Sequence, residues 1–275
     1  MNDIKQSVAD LINKVRERVP LVHHITNYIT ANDCANITLG IGASPVMADA
    51  PEEAADITSI SSSLVLNIGS LNERTISSMM VAGRAANQAG IPVIFDPVGV
   101  GASRLRNEIS TQIVDKIKIG VLRGNVSEIR YLSGKKSQTK GVDASEHDMK
   151  NSAESVSVAK LLAAQLECVV AITGAIDVIS DGERTFCIEN GNEMLSSITG
   201  TGCMLSSLIG AFCGAAPDRP LDATIAALLT MGIAGEIAFS KAGNVGNGSF
   251  RTVLHDAVSR MDADTLMRRA KIYET

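Results

Sequence analysis

The feature that most constrains this 275-residue chain is a repeated change of hydrophobic period, from short apolar runs to helical stripes and back. Leu21–Ile25, Pro45–Ala48, Leu64–Gly69, Pro92–Phe95, Ile117–Leu122 and Cys168–Thr173 read as strands. Between them, 2–18, Asn32–Leu39, Pro51–Ile60, Glu73–Gln88, Ser127–Leu132 and Ser152–Gln165 carry helical periodicity, and 133–151 reads as a polar loop. Ala175–Ser180 and Arg184–Ile188 flank Asp181-Gly182 as a hairpin. The remainder reads as helices over 202–215, 220–241 and 247–261 and a charged tail. Strands alternating with helices require crossover connections, hence a mostly parallel sheet with helices on both faces. The continuous apolar runs suit strands buried on both sides. With no linker, repeat or low-complexity tract, the whole of 1–275 is expected to form one α/β domain.

Composition narrows the functional classes. Aromatics are 3% with no Trp, so a base-stacking nucleic-acid surface has little to build on. Net charge is −5 without a basic block, which also argues against nucleic acid as a partner. The five cysteines are scattered, with no CxxC pair, so zinc sites and disulfide frameworks are not expected. Free thiols, a charged amphipathic N-terminus and no apolar run approaching a membrane span of about 20 residues lead us to expect a cytoplasmic protein.

Sheets of this kind bind ligands beyond the carboxyl ends of their strands. Four polar or Gly-bearing segments fall there: Asn67-Ile68-Gly69, Asp96-Pro97-Val98-Gly99, Arg123-Gly124-Asn125 and Thr173-Gly174. A further turn, Gly200-Thr201-Gly202-Cys203, opens an apolar helix. Its glycines let main-chain N–H groups converge, and the helix start adds unpaired amides and a positive dipole end. The result suits charge developing on a transferring phosphoryl group; a flexible loop before a core helix is the alternative. Cys203, at the helix start where negative charge on sulfur is favoured, suits a general base for a substrate hydroxyl. Its alternative is a small buried hydrophobe.

Asp96 and Glu128 are candidates to hold hydrated magnesium, which takes few carboxylates with waters and phosphate oxygens. Arg123 has the planar fork that meets phosphate. Asn125 and Glu128 have capping-box spacing, which would by itself explain that pair. The region 23–48 is dense in Asn and Thr and poor in charge, suiting a small neutral ligand.

The ordered set ITNYITANDCAN, ASPVMA, NIGSL, DPVGVGAS, RGNVSEI, ITGAIDVISDG and SSITGTGCMLSSLIGAF resembles the hydroxyethylthiazole kinases of thiamine salvage, over about residues 10 to 260. That resemblance implies a ribokinase-like fold without a separate lid domain. It implies ATP-dependent phosphorylation of the primary hydroxyl of 4-methyl-5-(2-hydroxyethyl)thiazole, with Mg2+. Carried over by motif, Met47, Gly200 and Asn27 would serve the thiazole, Arg123 and Thr173 would bind ATP, and Asp96 and Glu128 would serve the metal. Cys203 stands where most ribokinase-like enzymes carry a catalytic aspartate, beside Gly200, Thr201 and Gly202 of the anion hole. A homotrimer is implied as well, with sites near subunit contacts.

Other readings remain open on sequence alone. One is a kinase of the same superfamily acting on hydroxymethylpyrimidine or a pyridoxal-type alcohol. A dehydratase of the same fold acting on damaged nicotinamide cofactors is another, and a non-catalytic nucleotide-binding module is the third.

Overall fold

A computed structural model of the chain describes residues 2–134 and 148–275. Among the described residues, nine strands join one sheet in the order β2-β1-β3-β4-β5-β6-β7-β8-β9. The strands are β1 (Leu21–Ile25), β2 (Ser44–Met47), β3 (Ser63–Asn67), β4 (Val93–Asp96), β5 (Val121–Asn125), β6 (Val169–Thr173), β7 (Asp177–Ser180), β8 (Thr185–Ile188) and β9 (Ile272–Glu274). β2 through β6 pair in parallel, and β7, β8 and β9 follow as antiparallel neighbours. The expected mostly parallel sheet and the 175–188 hairpin are both present.

Period-two alternation along the buried strands separates two cores. Val22, Val65, Ile94, Val121 and Ala171 face one, while Leu64, Leu66, Phe95, Leu122 and Val170 face the other. The first is covered by α1 (Asn2–Arg18), α2 (Ala31–Ile41), α8 (Thr201–Ala215), α9 (Pro220–Ala242), α10 (Asn247–Ser259) and α11 (Ala263–Arg269). The second is covered by α3 (Pro51–Ser59), α4 (Glu73–Ala89), α5 (Arg104–Lys116), α6 (Val126–Leu132) and α7 (Asp148–Leu166). Helices therefore lie on both faces, as the alternation of periods requires.

α8 is seated by a close approach. A Cβ on Gly210 would lie 2.8 Å from Cγ2 of Val65 and 3.0 Å from Cγ1 of Val22. The missing side chain lets the helix axis settle on the sheet, where Ser63 Oγ donates to the Gly210 carbonyl at 2.8 Å. That contact fixes where the N-terminus of α8 ends up.

Three expectations change. α5 was not foreseen because its apolar stripe is narrow: only Ile109 and Ile113 are buried apolar residues in Arg104–Lys116. The charged tail is structured, with Asp262 capping α11 through Thr265 N at 2.7 Å and β9 covering the open edge of β8. α9 is long and apolar enough to cross a membrane by length and composition, with 78% of its most apolar window buried in the protein. Of the expected loop at 133–151, residues 135–147 lie outside the described ones.

Candidate active site

Four adjacent strands, β3, β4, β5 and β6, end side by side and present Asn67, Asp96, Arg123 and Thr173 toward the start of α8. Asn67 and Asp96 are register partners, as are Asn125 and Thr173. The four loops singled out in the sequence thus do line one edge.

At the centre, Asp96 is fully buried. Its Oδ2 accepts from Ser206 Oγ at 2.8 Å and from Asn67 Nδ2 at 2.9 Å. Its Oδ1 is buried with no hydrogen-bond partner, and lies 3.5 Å from Nη1 of Arg123. Burial pushes the Asp96 carboxyl up to about 6, although the Arg123 guanidinium pulls it down; the Glu128 charge adds to the rise. Arg123 also donates from Nη2 to Thr173 Oγ1 at 2.7 Å, leaving its buried Nε without a partner. A guanidinium held between a carboxylate and a hydroxyl presents a fixed cation at the strand ends.

The Gly200 turn supplies the opposing wall. Gly200 has φ +89°, a left-handed conformation that favours glycine, and a Cβ there would fall 2.8 Å from Cγ2 of Thr30. No side chain caps α8, so its first-turn N–H groups are available to an anion. The Thr201 hydroxyl folds back onto the Leu195 carbonyl at 3.0 Å, so Thr201 offers its main chain to the turn. A Cβ on Gly202 would lie 2.5 Å from Nη1 of Arg123, so the helix start and the guanidinium are in direct apposition.

Cys203 is partly exposed, whereas Cys34, Cys168, Cys187 and Cys213 are buried. Nδ2 of Asn27 and Nδ2 of Asn67 each lie 3.3 Å from its sulfur. Cys34, on α2, is buried, and its thiol is pushed up to about 11, chiefly by that burial.

Glu128 forms the capping box with Asn125: Oε2 accepts from Asn125 N at 2.8 Å, and Glu128 N donates to Asn125 Oδ1 at 2.9 Å. Its Oε1 accepts from Gly99 N at 2.8 Å, tying α6 to the β4–α5 loop. Capping accounts for the spacing, and the carboxylate still faces the same strand ends as Asp96. No group of three or more His, Cys, Asp or Glu residues among the described ones forms a closed metal cage. The unpartnered Oδ1 of Asp96 with Glu128 nearby is a donor set of two hard oxygens, which fits a hydrated divalent cation shared with phosphates.

Met47 stands apart from this cluster. It ends the edge strand β2, two places from β3, and is 38% exposed. Residues not singled out as site groups in the sequence also contribute. Ser206 is buried one turn into α8 and was hidden in an apolar helix, where its polarity was the one available signal. Arg106, on the unforeseen α5, donates to the carbonyls of Gly69 and Val98 and clamps two site loops together.

This arrangement has recognisable relatives. The model of the hydroxyethylthiazole kinase family matches residues 12–264. A hydroxyethylthiazole kinase of Ruminiclostridium cellulolyticum is 57% identical over 274 residues, covering 100% of each chain. One from Clostridium beijerinckii is 56% identical, covering 99% of each. The solved structure of a hydroxyethylthiazole kinase from Pyrococcus horikoshii OT3 superposes with a TM-score of 0.89 at 39% identity, covering 98% of this chain and 99% of that one. A Staphylococcus aureus pyridoxal kinase in complex with AMP-PCP shares the fold at a TM-score of 0.64 and 16% identity. With its motifs, its fold and relatives matched along their full length, the chain belongs to the hydroxyethylthiazole kinase family.

Proposed function

We propose that this protein transfers the γ-phosphoryl group of ATP to the primary hydroxyl of 4-methyl-5-(2-hydroxyethyl)thiazole, a step of thiamine salvage. The observation that carries the reading is the convergence of Cys203, Asp96 and Arg123 on an uncapped helix start. Arg123 and Thr173 hold the nucleotide phosphates, and Gly200, Asn27 and Met47 hold the thiazole.

The proton of the alcohol passes to Cys203 as its oxygen forms a bond to the γ-phosphorus. The bond from that phosphorus to the ADP oxygen breaks, and its electron pair stays on ADP. Such a transfer has a loose transition state, so orientation and charge neutralisation dominate over base strength. The first-turn N–H groups of α8 meet the charge on the transferring group, and the guanidinium of Arg123 lies across Gly202 from them. Mg2+, when bound, would neutralise phosphate charge, held by Asp96 and Glu128 with waters.

The same reading makes 1–275 a single kinase domain acting as a homotrimer with sites near subunit contacts. Tyr28 and Ile29, 82% and 59% exposed, adjoin Asn27 just after β1, and Met47 ends the edge strand β2 that pairs with β1. An apolar group of this kind next to an unpaired strand suits a neighbouring subunit. Five free cysteines accord with a reducing cytoplasm.

A panel of alcohols with ATP tests the reaction. ADP formation should depend on the thiazole alcohol, and a preference for hydroxymethylpyrimidine or pyridoxal would overturn the assignment. ATP binding without turnover on any alcohol would instead favour a binding module.

A further inference from the structure

Asn67 has all of its hydrogen-bonding capacity committed within the site. Its Oδ1 accepts from Gly69 N at 2.9 Å and from Asn27 Nδ2 at 3.0 Å. Its Nδ2 donates to Asp96 Oδ2 at 2.9 Å and lies 3.3 Å from Cys203 Sγ. A main-chain N–H can only donate, so Gly69 settles which end of the carboxamide is oxygen. The same logic fixes Asn27, whose Oδ1 accepts from Thr30 N at 3.1 Å, turning its Nδ2 toward Asn67 and the sulfur.

Two locked amides therefore aim N–H groups at one sulfur. Any proton that Cys203 carries must lie away from both, and the sulfur meets them as an acceptor. Asn67 is 1% exposed, and a Cβ on Gly69 would intrude to 2.9 Å of its Oδ1, so the cradle is tightly enclosed. One carboxamide thus joins the sulfur to the carboxylate of the neighbouring strand.

We propose that Asn67 is a positioning residue: it holds Cys203 Sγ as a hydrogen-bond acceptor and sets its place relative to Asp96. The proposal rests on the phosphotransfer reading for its catalytic consequence, but not for the cradle itself. Neither Asp96 nor Cys203 alone explains a carboxamide at this strand end, because each has a second donor of its own in Ser206 or Asn27.

Two experiments test it. Asn67→Asp keeps the shape and the acceptor toward Gly69 but places a carboxylate oxygen where an N–H met the sulfur. Iodoacetamide labelling of Cys203 at one fixed pH, followed by peptide mass spectrometry, should slow at least fivefold. Labelling within twofold of wild type would overturn the proposal. This arm needs no turnover, so slowed labelling in an inactive wild-type enzyme would uphold the cradle while refuting the kinase reading.

Should Asn67→Asp not fold, Asn67→Ala supplies the second arm. It should lower kcat at least tenfold with KM for the thiazole alcohol within threefold. In a Cys203→Ala background the same change should cost less than a third as much in fold terms. An equal loss in both backgrounds would overturn the proposal.

Discussion

Gly202 and Arg123 occupy one another's space: a Cβ on Gly202 would stand 2.5 Å from Nη1 and 2.9 Å from Nη2 of the guanidinium. The glycine is needed here for room rather than for torsion, since its φ is not positive. Arg123 in turn owes its position to Asp96 and Thr173 on the flanking strands. The helix start and the sheet edge are therefore one unit, assembled from segments about 80 residues apart in the chain.

Gly202→Ala should displace the guanidinium without unfolding the protein, because the obstructing atoms are the far end of a flexible side chain. We expect KM for ATP to rise at least tenfold while Tm stays within a few degrees of wild type. Steady-state kinetics beside thermal melts check this. An unchanged KM would show that Arg123 does not bind the nucleotide.

Replacing Cys203 separates base strength from positioning. General-base assistance is typically worth about 10²–10⁴-fold, so Cys203→Ala should lose activity within that range and keep a measurable remainder. Cys203→Asp should stay competent, since a carboxylate can accept from both Asn27 Nδ2 and Asn67 Nδ2. An alanine variant with wild-type kcat would remove the base role.

Tyr28→Glu combined with Ile29→Glu should dissociate the proposed homotrimer. Sedimentation of the wild type should give about three times the chain mass of 28.9 kDa, and of the variant one chain. Activity should fall with it if thiazole is held near a subunit contact. A wild-type monomer with full activity would refute this part of the account.

His24 sets an acid limit on stability. Its Nδ1 lies 3.0 Å from the Val22 carbonyl, while the buried Nε2 has no partner. Burial lowers its pKa from 6.5 to about 4. The folded state thus binds the proton less readily than the unfolded chain does. The stabilising effect is present above pH 6.5 and is lost as pH falls from there through 4. Over that window the loss is about 3 kcal/mol. Urea unfolding between pH 7 and pH 4 should show His24→Leu losing less stability than wild type. Parallel losses would mean His24 titrates as in the unfolded chain.

The sheet was legible in the sequence because its strands are continuous apolar runs bounded by Gly, Pro or Asn, a pattern carried by neighbouring residues alone. Gly200 and Gly202 were legible for the same reason, as a local turn before an apolar helix. α5 was not, because a stripe of Ile109 and Ile113 among polar neighbours barely differs from a solvated segment. The tail escaped notice because Leu266 and Ile272 are the main buried apolar residues there, and β9 forms only against an already folded β8. Ser206 and Asn67 acquire their roles through partners 110 and 136 residues away, Asp96 and Cys203. No local period encodes such a meeting; it exists only once the sheet and α8 have packed.

The most direct test is a crystal structure of the protein with the thiazole alcohol and a non-hydrolysable ATP analogue. The account predicts the alcohol oxygen within hydrogen-bond reach of Cys203 Sγ and about 3–3.5 Å from the γ-phosphorus, with the γ-phosphate against the first turn of α8. An alcohol turned away from Cys203, or a phosphate bound elsewhere than beside Gly202 and Arg123, would contradict it.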